Sequence, residues 1–573
     1  MDFGERHPMA QVVPQSLNVL LINSFCMPLN SLESLLIEGA DLYIPIFSLP
    51  MGIMSLAAYA RHKHPEYRCK IIDFNKELHI FCSNPSRNKI TVQDFILSIM
   101  DRCYFEPDVV GVSVNFSTGH ASSLLTANVS KQKWPNATTV FGGVHATNFS
   151  HQIIKSPSVD YVIRGSAEES FCQLLNVLLA HEQPAKIAGV VQSERDVQTI
   201  CEPVHNLDEL PMLAYDLVDL EYYFQHDSRA LLRTKATRAI PYQFSRGCCF
   251  RCTFCASHTV HGRRVLLKSN EVVINELKFL KNRYQINTIV VEDDLFGIDK
   301  PSFYALCDQL EEHQINLKFT FPNALSVAVL DEPMIDRLVE MGMESAILAI
   351  ESGSSYVQKH LIKKNCDLDK AIRLSRYFRK KGIPVMAYFI LGFPRETVEF
   401  MQETVAFAKR MELDWAYFLR AYPLMGSEMC DELLRTGVLN EEKLIEIMNT
   451  ADVSKRAYDT PEISAGDLEA LAYDANIDIN FFDNFNMLSG NYDRAIHKLS
   501  NVIRNYPFHI VALACRAKCY YEKGAFPSAQ CDLEALDEKV RTHREATRLH
   551  ALYGERINRL VADIPRRNTY SRQ

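Results

Sequence analysis

The sequence lacks any continuous run of 18 apolar residues, so a membrane-spanning helix is not expected. Its first 15 residues also lack the charged-then-apolar order of a secretory signal. Basic residues are not in excess, because the formal net charge is −8, and no basic face for nucleic acid is expected. These absences predict a cytoplasmic protein without a membrane span or a nucleic-acid partner.

Cysteine is abundant, with 16 residues, but the pairing typical of a zinc finger is missing. Four cysteines fall in "SRGCCFRCTFC": Cys248, Cys249, Cys252 and Cys255. Zinc sites usually pair two Cys-x2–4-Cys knuckles, and no second knuckle is present, whereas a thioredoxin-type redox site needs only one Cys-x-x-Cys and leaves two thiols unused. Three thiolates with the spacing of Cys248, Cys252 and Cys255 can hold three irons of a 4Fe-4S cubane and leave the fourth iron open for a ligand. Cys249 is then the extra cysteine, and we interpret it as a bystander.

The N-terminal third, residues 1–205, alternates short β-branched runs with amphipathic segments. Continuous apolar strands that alternate with helices indicate a parallel sheet covered on both faces. We therefore predict an α/β fold with an N-terminal doubly wound, Rossmann-like domain. Its ligand would bind beyond the carboxyl ends of the strands. The five predicted strands cover residues 17–23, 69–75, 108–114, 138–144 and 161–165.

A predicted linker over 206–235 leads into a second alternating series over 236–430. Six strand candidates with helices between them predict a central partial (β/α)6 barrel, whose functional groups sit at the carboxyl ends of the strands. The candidates begin at "IPYQFSRG", "TIVVEDD", "KFTFPNA", "SAILAIESG", "VMAYFILGFP" and "WAYFLRAYP".

The C-terminal region, 431–573, is predicted to be all α-helical. Gly490, Tyr492 and Ala495 recur 34 residues later as Gly524, Phe526 and Ala529. A period of about 34 residues with this pattern is typical of tetratricopeptide (TPR) repeats. About two TPR-like repeats over 476–541 are therefore expected. The aromatic residue of each should pack its helix pair, and the helices should pack on the barrel.

The cysteine motif resembles that of the radical S-adenosylmethionine (SAM) superfamily, which commonly reads "SRGCPFRCTFC". Here a cysteine replaces the proline. Further likenesses are "VEDDLF", "GMESAILAIESGS", "FILGFPRET" and "YPLMGSEM". The resemblance implies that Cys248, Cys252 and Cys255 ligate a 4Fe-4S cluster that cleaves SAM reductively. The SAM-binding residues that it implies are Phe254, Glu292, Asp293, Glu351, Ser352, Gly392 and Pro394. Glu292 and Asp293 are as well explained as caps of following helices.

The N-terminal segments "TTVFGGVHATNFS" and "VDYVIRGSAEESF" resemble the cobalamin-binding domain found ahead of many radical SAM barrels. Ser166 and Ala167 depart from the family pattern. The Asp-x-His-x-x-Gly motif that supplies a cobalt ligand elsewhere is absent. The resemblance implies cobalamin without a histidine on its lower face, unless the domain has kept the fold and lost the cofactor. The implied cobalamin-binding residues are Ser113, Asn115, Gly142, Gly143, His145, Gly165 and Glu168.

The resemblance as a whole implies a cobalamin-dependent methyltransferase that acts on an unactivated carbon, or on a phosphinate, of a specialised metabolite. One alternative is a cobalamin-free radical enzyme that transfers the 3-amino-3-carboxypropyl group of SAM. Another is a TPR-type scaffold or carrier-binding protein with a vestigial barrel. The substrate would be a small molecule or a carrier- or peptide-linked group, and a flavodoxin or ferredoxin would supply electrons. Three side chains near predicted strand ends could face the substrate: Tyr388, Arg420 and Tyr422.

Overall fold

The computed structural model describes residues 16–38, 48–84, 86–182, 187–196, 199–201, 204–226, 237–450 and 456–565. These residues form two compact units. The first unit comprises the described parts of Met1–Ser228, Ala256–Ser269 and Glu442–Asp452. The second comprises those of Arg229–Cys255, Asn270–Glu441 and Val453–Gln573. No helix among the described residues is both long and apolar enough to cross a bilayer.

The strands follow the β-branched runs of the sequence. They are β1 (Asn18–Asn23), β2 (Arg68–Asp73), β3 (Val109–Ser113), β4 (Thr138–Gly142), β5 (Tyr161–Ile163), β6 (Val190–Val191), β7 (Ala239–Tyr242), β8 (Ser245–Arg246), β9 (Leu266–Leu267), β10 (Thr288–Val291), β11 (Lys318–Thr320), β12 (Ala346–Glu351), β13 (Val385–Leu391) and β14 (Trp415–Arg420).

The α-helices occupy the amphipathic segments between these strands and most of the C-terminal region. They are α1 (Leu29–Glu33), α2 (Met51–Lys63), α3 (Phe74–Cys82), α4 (Val92–Asp101), α5 (His120–Lys133), α6 (Val144–Asn148), α7 (Ser150–Ile153), α8 (Glu168–Leu179), α9 (Leu220–His226), α10 (His258–His261), α11 (Asn270–Tyr284), α12 (Lys300–Glu312), α13 (Glu332–Glu340), α14 (Leu368–Lys380), α15 (Val398–Arg410), α16 (Glu428–Arg435), α17 (Glu441–Thr450), α18 (Ala465–Ile477), α19 (Phe485–Leu488), α20 (Tyr492–Asn505), α21 (Ile510–Glu522), α22 (Phe526–Thr542) and α23 (Arg544–Leu560).

The first unit is built on one sheet of order β2-β1-β3-β4-β5-β6. Its first five strands are parallel and lie at the five predicted positions. The sixth strand, β6, runs antiparallel to β5 and was missed by the sequence analysis. Its two valines are too short a run to stand out from loop. Because β3 and β4 are neighbours in register, their carboxyl ends place Ser113 beside Gly142.

The predicted linker is only partly visible, since residues 227–235 lie outside the described residues. The described remainder belongs to the first unit and includes α9. Its side chains reach the core: Leu207 is buried, and the Tyr223 hydroxyl donates to Asp73 Oδ2 at 2.7 Å. The division of the chain at 205 and 235 stays a prediction.

The second unit contains all six strands predicted for the barrel. They form two parallel three-stranded sheets, β7-β10-β11 and β12-β13-β14. Parallel bridges link the two sheets, joining Phe319 to Met343 and Leu325 to Leu348. The sequential parallel order brings the carboxyl ends of these strands to one end of the unit. The predicted barrel closure itself stays a prediction.

The C-terminal helices α18–α23 belong to the second unit and share one hydrophobic core. Ala495 and Ala529, which the 34-residue period pairs, are both fully buried. Phe526 is 59% exposed, and its ring lies 5.6 Å from the ring of Tyr521 on α21, between centroids. The TPR-like repeats stay a prediction. The helices pack on the last strand as expected, since the Asn480 side chain bonds both backbone groups of Ala416.

Candidate active site

The cysteine loop follows β7 and β8 at the carboxyl end of the sheet. Gly247 opens it with a φ of +91°, a conformation that favours glycine. Cys248, Cys252 and Cys255 are half-buried, whereas Cys249 is exposed. The loop therefore separates Cys249 from the three cysteines of the predicted cluster.

Hydrogen bonds fasten the middle of this loop to the rest of the second unit. Thr253 donates its hydroxyl to Leu361 O at 2.9 Å and its N–H to Ile362 O at 3.1 Å. Its own carbonyl accepts from Met429 N at 2.8 Å. The loop is thus held on both sides, which presets the positions of the flanking thiols.

The start of the loop is held by a buried carboxylate. Asp293 Oδ1 accepts from Phe244 N at 2.8 Å, and Oδ2 accepts from the Ser245 hydroxyl at 2.6 Å. Burial raises the pKa of Asp293 to about 7. Both oxygens of Asp293 thus accept from the segment that leads into the cysteine loop, and its predicted contact with SAM stays a prediction. Glu292, predicted with it, accepts from Asn323 Nδ2 at 3.2 Å.

The thiols are electrostatically coupled to one another. Burial is the main cause that raises the pKa of Cys248 and brings that of Cys252 to about 11, and the neighbouring thiols add to both shifts. Metal ions bind cysteine as the thiolate, so binding of a cluster would displace the thiol protons of these cysteines. Within the described residues, no three His, Cys, Asp or Glu side chains converge enough to hold a single metal ion. In a 4Fe-4S cluster each cysteine thiolate binds a different iron, so the three thiols do not need to converge on one metal ion. Three cysteines spread along one loop are therefore compatible with such a cluster.

Glu351 lies at the end of β12 in the left-handed region, with a φ of +68°. Its carboxylate pairs with Lys364 Nζ at 2.8 Å, and both side chains are nearly buried. Burial opposes the charge of Lys364, but the carboxylate and Cys252 outweigh it and raise the lysine pKa. Lys364 therefore places a positive charge beside Cys252. Ser352, the next predicted residue, is fully buried and its hydroxyl lies 3.0 Å from Thr404 Oγ1.

The turn after β13 is gripped from two sides. Glu396 Oε2 accepts from Gly392 N at 2.7 Å and from Phe393 N at 3.0 Å. On the other side, Arg456 Nη1 donates to Gly392 O at 3.1 Å. A Cβ on Gly392 would lie 2.5 Å from Leu468 Cδ2. A glycine is therefore needed here for Leu468 of the C-terminal segment to pack against the turn. The sequence analysis had instead predicted that this glycine makes room for SAM.

This turn meets the cysteine loop through aromatic contact. The rings of Phe254 and Phe393 lie 5.7 Å apart, and Pro394 is half-buried beside them. The Phe254–Phe393 contact therefore joins the cysteine loop to the turn that carries Gly392 and Pro394, and SAM binding by Phe254, Gly392 and Pro394 stays a prediction.

In the first unit, the loops after β3 and β4 form an open ledge. Asn115 and Phe116 are exposed, and so is Val144. Gly143 has a φ of +101°, and a Cβ there would strike Asn115 Oδ1 at 2.7 Å. The ledge therefore carries Ser113, Asn115, Gly142 and Gly143. The loop after β4 approaches the loop after β3 so closely that position 143 requires glycine. The exposed side chains of Phe116 and Val144 are apolar and that of Asn115 is polar, and a mixed surface of this kind fits a large flat cofactor.

His145 is buried, whereas Asn115 and Val144 on that ledge are exposed. It is 2% exposed, and its ring nitrogens lie 3.1 Å from Ser117 Oγ and 3.0 Å from His120 Nδ1. Burial lowers its pKa to about 3, so it stays neutral. This geometry gives His145 a supporting place under the loops and fits a cobalamin whose cobalt takes no histidine from this chain.

The two remaining predicted cobalamin residues flank the end of β5. Gly165 has a φ of +95°, and its N–H donates to Thr147 Oγ1 at 3.0 Å. Glu168 opens α8, is buried, and accepts from Ser55 at 2.9 Å. Gly165 joins the ledge through Thr147, whereas Glu168 ties α8 to α2.

The segment that directly follows the third cysteine packs within the first unit. Asn148 Nδ2 donates to Thr259 Oγ1 at 3.0 Å, and the Ser166 hydroxyl donates to Val260 O at 3.2 Å. His261 Nδ1 lies 3.2 Å from the same hydroxyl. Ser166, which departs from the family pattern, thus binds the segment that follows the third cysteine.

Comparison with known families assigns these two units. Residues 242–408 match the model of the radical SAM superfamily, and residues 47–175 match that of the B12 binding domain. The chain combines a radical SAM domain with a B12-binding domain. It is therefore a radical SAM enzyme, and its cofactors are a 4Fe-4S cluster, SAM and cobalamin.

Two curated relatives align over most of the enzyme. It is 27% identical over 380 residues to cytidylyl-2-hydroxyethylphosphonate methyltransferase of Streptomyces wedmorensis, covering 61% of this chain and 70% of that protein. It is 28% identical over 398 residues to an uncharacterized methyltransferase of Pyrococcus horikoshii, covering 68% and 79%.

Solved structures share the fold. The cobalamin-dependent SAM radical enzyme OxsB aligns with a TM-score of 0.60 and 16% identity, covering 96% of this chain and 84% of that chain. The radical SAM methyltransferase TsrM from Kitasatospora setae aligns with a TM-score of 0.55 and 16% identity, covering 73% and 76%.

The sequence analysis missed several residues that shape the site. Glu396 stands in the quoted "FILGFPRET" motif, and its position two residues after Pro394 was a usable signal. Lys364 and Arg456 lie in segments without a motif. Only the folded chain brings them to Glu351 and Gly392.

Proposed function

We propose that this enzyme is a cobalamin-dependent radical SAM methyltransferase that methylates an unactivated carbon, or a phosphinate, of a small molecule. The observation that carries the proposal is the cysteine loop and the glycine-rich ledge in one chain, each within its matched domain. The methyltransferase names of both relatives support the type of reaction.

In this proposal the bound cofactors supply one-electron cleavage of SAM and a transferable methyl group, and the protein positions and shields them. Cys248, Cys252 and Cys255 would hold the cluster. Phe254 and Phe393 would cover the adenine side of SAM. Because Glu351 is already paired with Lys364, the pair would present one fixed polar surface to SAM.

The ledge residues would hold cobalamin by backbone approach and apolar contact. Ser113, Asn115, Gly142 and Gly143 would line it, with Gly165 at its edge. His145 would support the ledge from below without ligating cobalt, because both of its ring nitrogens are engaged. Glu168 would act at a distance, by holding α8.

Neither alternative reading is favoured. An enzyme that transfers the 3-amino-3-carboxypropyl group of SAM would not need cobalamin, and the B12-binding domain would then have no role in the reaction. A scaffold with a vestigial barrel does not need three half-buried cysteines on a fastened loop. A small flavodoxin or ferredoxin is the proposed source of electrons.

The test is anaerobic reconstitution with iron, sulfide and cobalamin, followed by metal counts and product analysis with SAM and a reductant. We expect about four irons and stoichiometric cobalt per chain, with S-adenosylhomocysteine and 5′-deoxyadenosine as products. Iron without cobalt, or methylthioadenosine as the product, would refute the proposal.

A further inference from the structure

A polar network surrounds the carboxyl ends of β13 and β14. In parallel α/β folds this end of the strands carries the reaction site. Glu469 Oε2 accepts from Arg420 Nη2 at 2.6 Å, and Glu469 Oε1 accepts from Arg456 N at 3.1 Å. The carboxylate of Glu469 thus ties the end of β14 to the C-terminal segment.

The same segment closes on the two strand ends at other points. Arg456 donates to Gly392 O at 3.1 Å and to Ile463 O at 2.6 Å. The Tyr458 hydroxyl donates to Ala421 O at 3.3 Å, and its ring lies 5.1 Å from the Arg456 guanidinium. The network is therefore continuous from Gly392 to Ala421.

Four buried polar atoms at the end of β14 and in this C-terminal segment have no hydrogen-bond partner among the described residues. They are Arg420 Nε, Tyr422 Oη, Arg456 Nε and Glu462 Oε2. Arg456 is only 4% exposed, so bulk solvent does not reach its guanidinium. Folded proteins rarely leave buried polar atoms unpaired, and four on these adjoining segments point to a bound polar partner.

The chemistry of these atoms specifies that partner. Two guanidinium N–H groups and a phenol O–H are donors, and an oxyanion is the acceptor that matches them best. Glu462 Oε2 is an acceptor and interacts electrostatically with Arg456. The matching ligand therefore carries a hydroxyl or amine near its oxyanion.

We propose that Arg420, Tyr422, Arg456 and Glu462 form a substrate subsite through these four atoms, and that the substrate bears a carboxylate or a phosphate-like oxyanion next to a hydroxyl or amine. The inference rests on the proposed function, because it takes the strand ends as the reaction site. SAM also carries a carboxylate and an amine, so the test must separate SAM from the substrate.

The test measures binding of small probes to the full-length, fully reconstituted enzyme by isothermal titration calorimetry. The probes are inorganic phosphate, acetate and glycine, with uncharged methyl acetate as the control. We expect at least one oxyanion to bind, in the presence of saturating S-adenosylhomocysteine as well as without it. Tyr422→Phe and Arg420→Met should each weaken binding roughly tenfold or more, since each removes a hydrogen bond to a charged group.

Tyr458→Phe is the matched control, because its hydroxyl already has a partner in Ala421. This variant should bind the probe as the unchanged enzyme does. If water alone fills the site, no oxyanion binds and the inference is refuted. Displacement of the probe by S-adenosylhomocysteine would assign the site to SAM and also refute it.

Metal counts and SAM cleavage on the same preparation distinguish the two proposals. An enzyme that holds iron and cobalt and cleaves SAM, yet binds no oxyanion, keeps its proposed function and loses this subsite. An enzyme that binds no cobalt loses the proposed function whatever the probes do.

Discussion

Glu396 combines complete burial with a structural task at the turn after β13. Burial raises its pKa from 4.5 to about 8, so the folded protein holds this carboxyl in its protonated form at neutral pH. Because the folded pKa is raised, the stability contribution is full below pH 4.5 and is lost as the pH rises towards 8. Glu396 therefore makes the turn at Gly392 more stable in acid than in base.

Replacement of Glu396 tests this directly. Glu396→Gln keeps an oxygen for the two N–H donors and removes the titration. The free energy of unfolding of wild type relative to this variant should fall between pH 4.5 and 8, at about 1.4 kcal/mol per unit of pKa shift. Urea unfolding at several pH values measures it.

Glu396→Ala serves as the contrast, because it leaves Gly392 N–H and Phe393 N–H buried without an acceptor. It should lower stability by about 1–3 kcal/mol for each N–H at any pH. Identical pH profiles for wild type and Glu396→Gln would contradict the raised pKa.

The cysteines give a second test at this scale. Serine at position 248, 252 or 255 removes one thiolate, and we expect each variant to lose most of its iron and its SAM cleavage. Cys249→Ser should retain both, because that side chain is exposed and outside the predicted ligand set. Iron counts and visible spectra after reconstitution decide it, and a Cys249→Ser enzyme without iron would overturn the assignment.

At the scale of elements, β14 is the last strand of its sheet and needs protection at its outer edge. Asn480, in the π-helical turn Asp478–Phe482, provides it. Its Oδ1 accepts from Ala416 N at 2.8 Å, and its Nδ2 donates to Ala416 O at 2.7 Å. One amide side chain thus replaces a neighbouring strand and fixes the C-terminal helices to the sheet.

Asn480→Ala should leave both backbone groups of Ala416 buried and unpaired. We expect a loss of roughly 2–5 kcal/mol in the free energy of unfolding, measured by urea denaturation. Asn505→Ala is the control, since Asn505 is exposed at the end of α20 and its replacement should change stability by less than about 0.5 kcal/mol. Equal effects of the two variants would refute a special role for Asn480.

At the scale of the whole molecule, the two units predict two separate footprints of cofactor binding. Cobalamin added to the full chain should slow hydrogen exchange around residues 113–119 and 142–148, because ordering by a ligand suppresses local opening. Cluster and SAM should instead slow exchange around 245–255 and 392–396. Mass-spectrometric exchange with each cofactor in turn measures both, and cobalamin protection confined to the second unit would contradict the assignment of the ledge.

The sequence by itself determined the features that local chemistry encodes. The five parallel strands of the first sheet and the six strands of the two three-stranded sheets follow from short β-branched runs, because such side chains fit the pleated, half-buried surface of a strand. The three cysteines were identifiable because cluster ligands share one loop at fixed spacing. The two-residue strand β6 escaped, since it depends on pairing with β5.

The tertiary structure alone decided how side chains from distant segments share the site. Arg456 reaches Gly392 across 64 residues, and Asp293 reaches Ser245 across 48. His145 loses its availability to cobalt only because folding buries it against His120. Periodicity and spacing carry no record of such contacts, because burial and pairing of polar groups are properties of the packed chain and arise only when distant segments exclude water together.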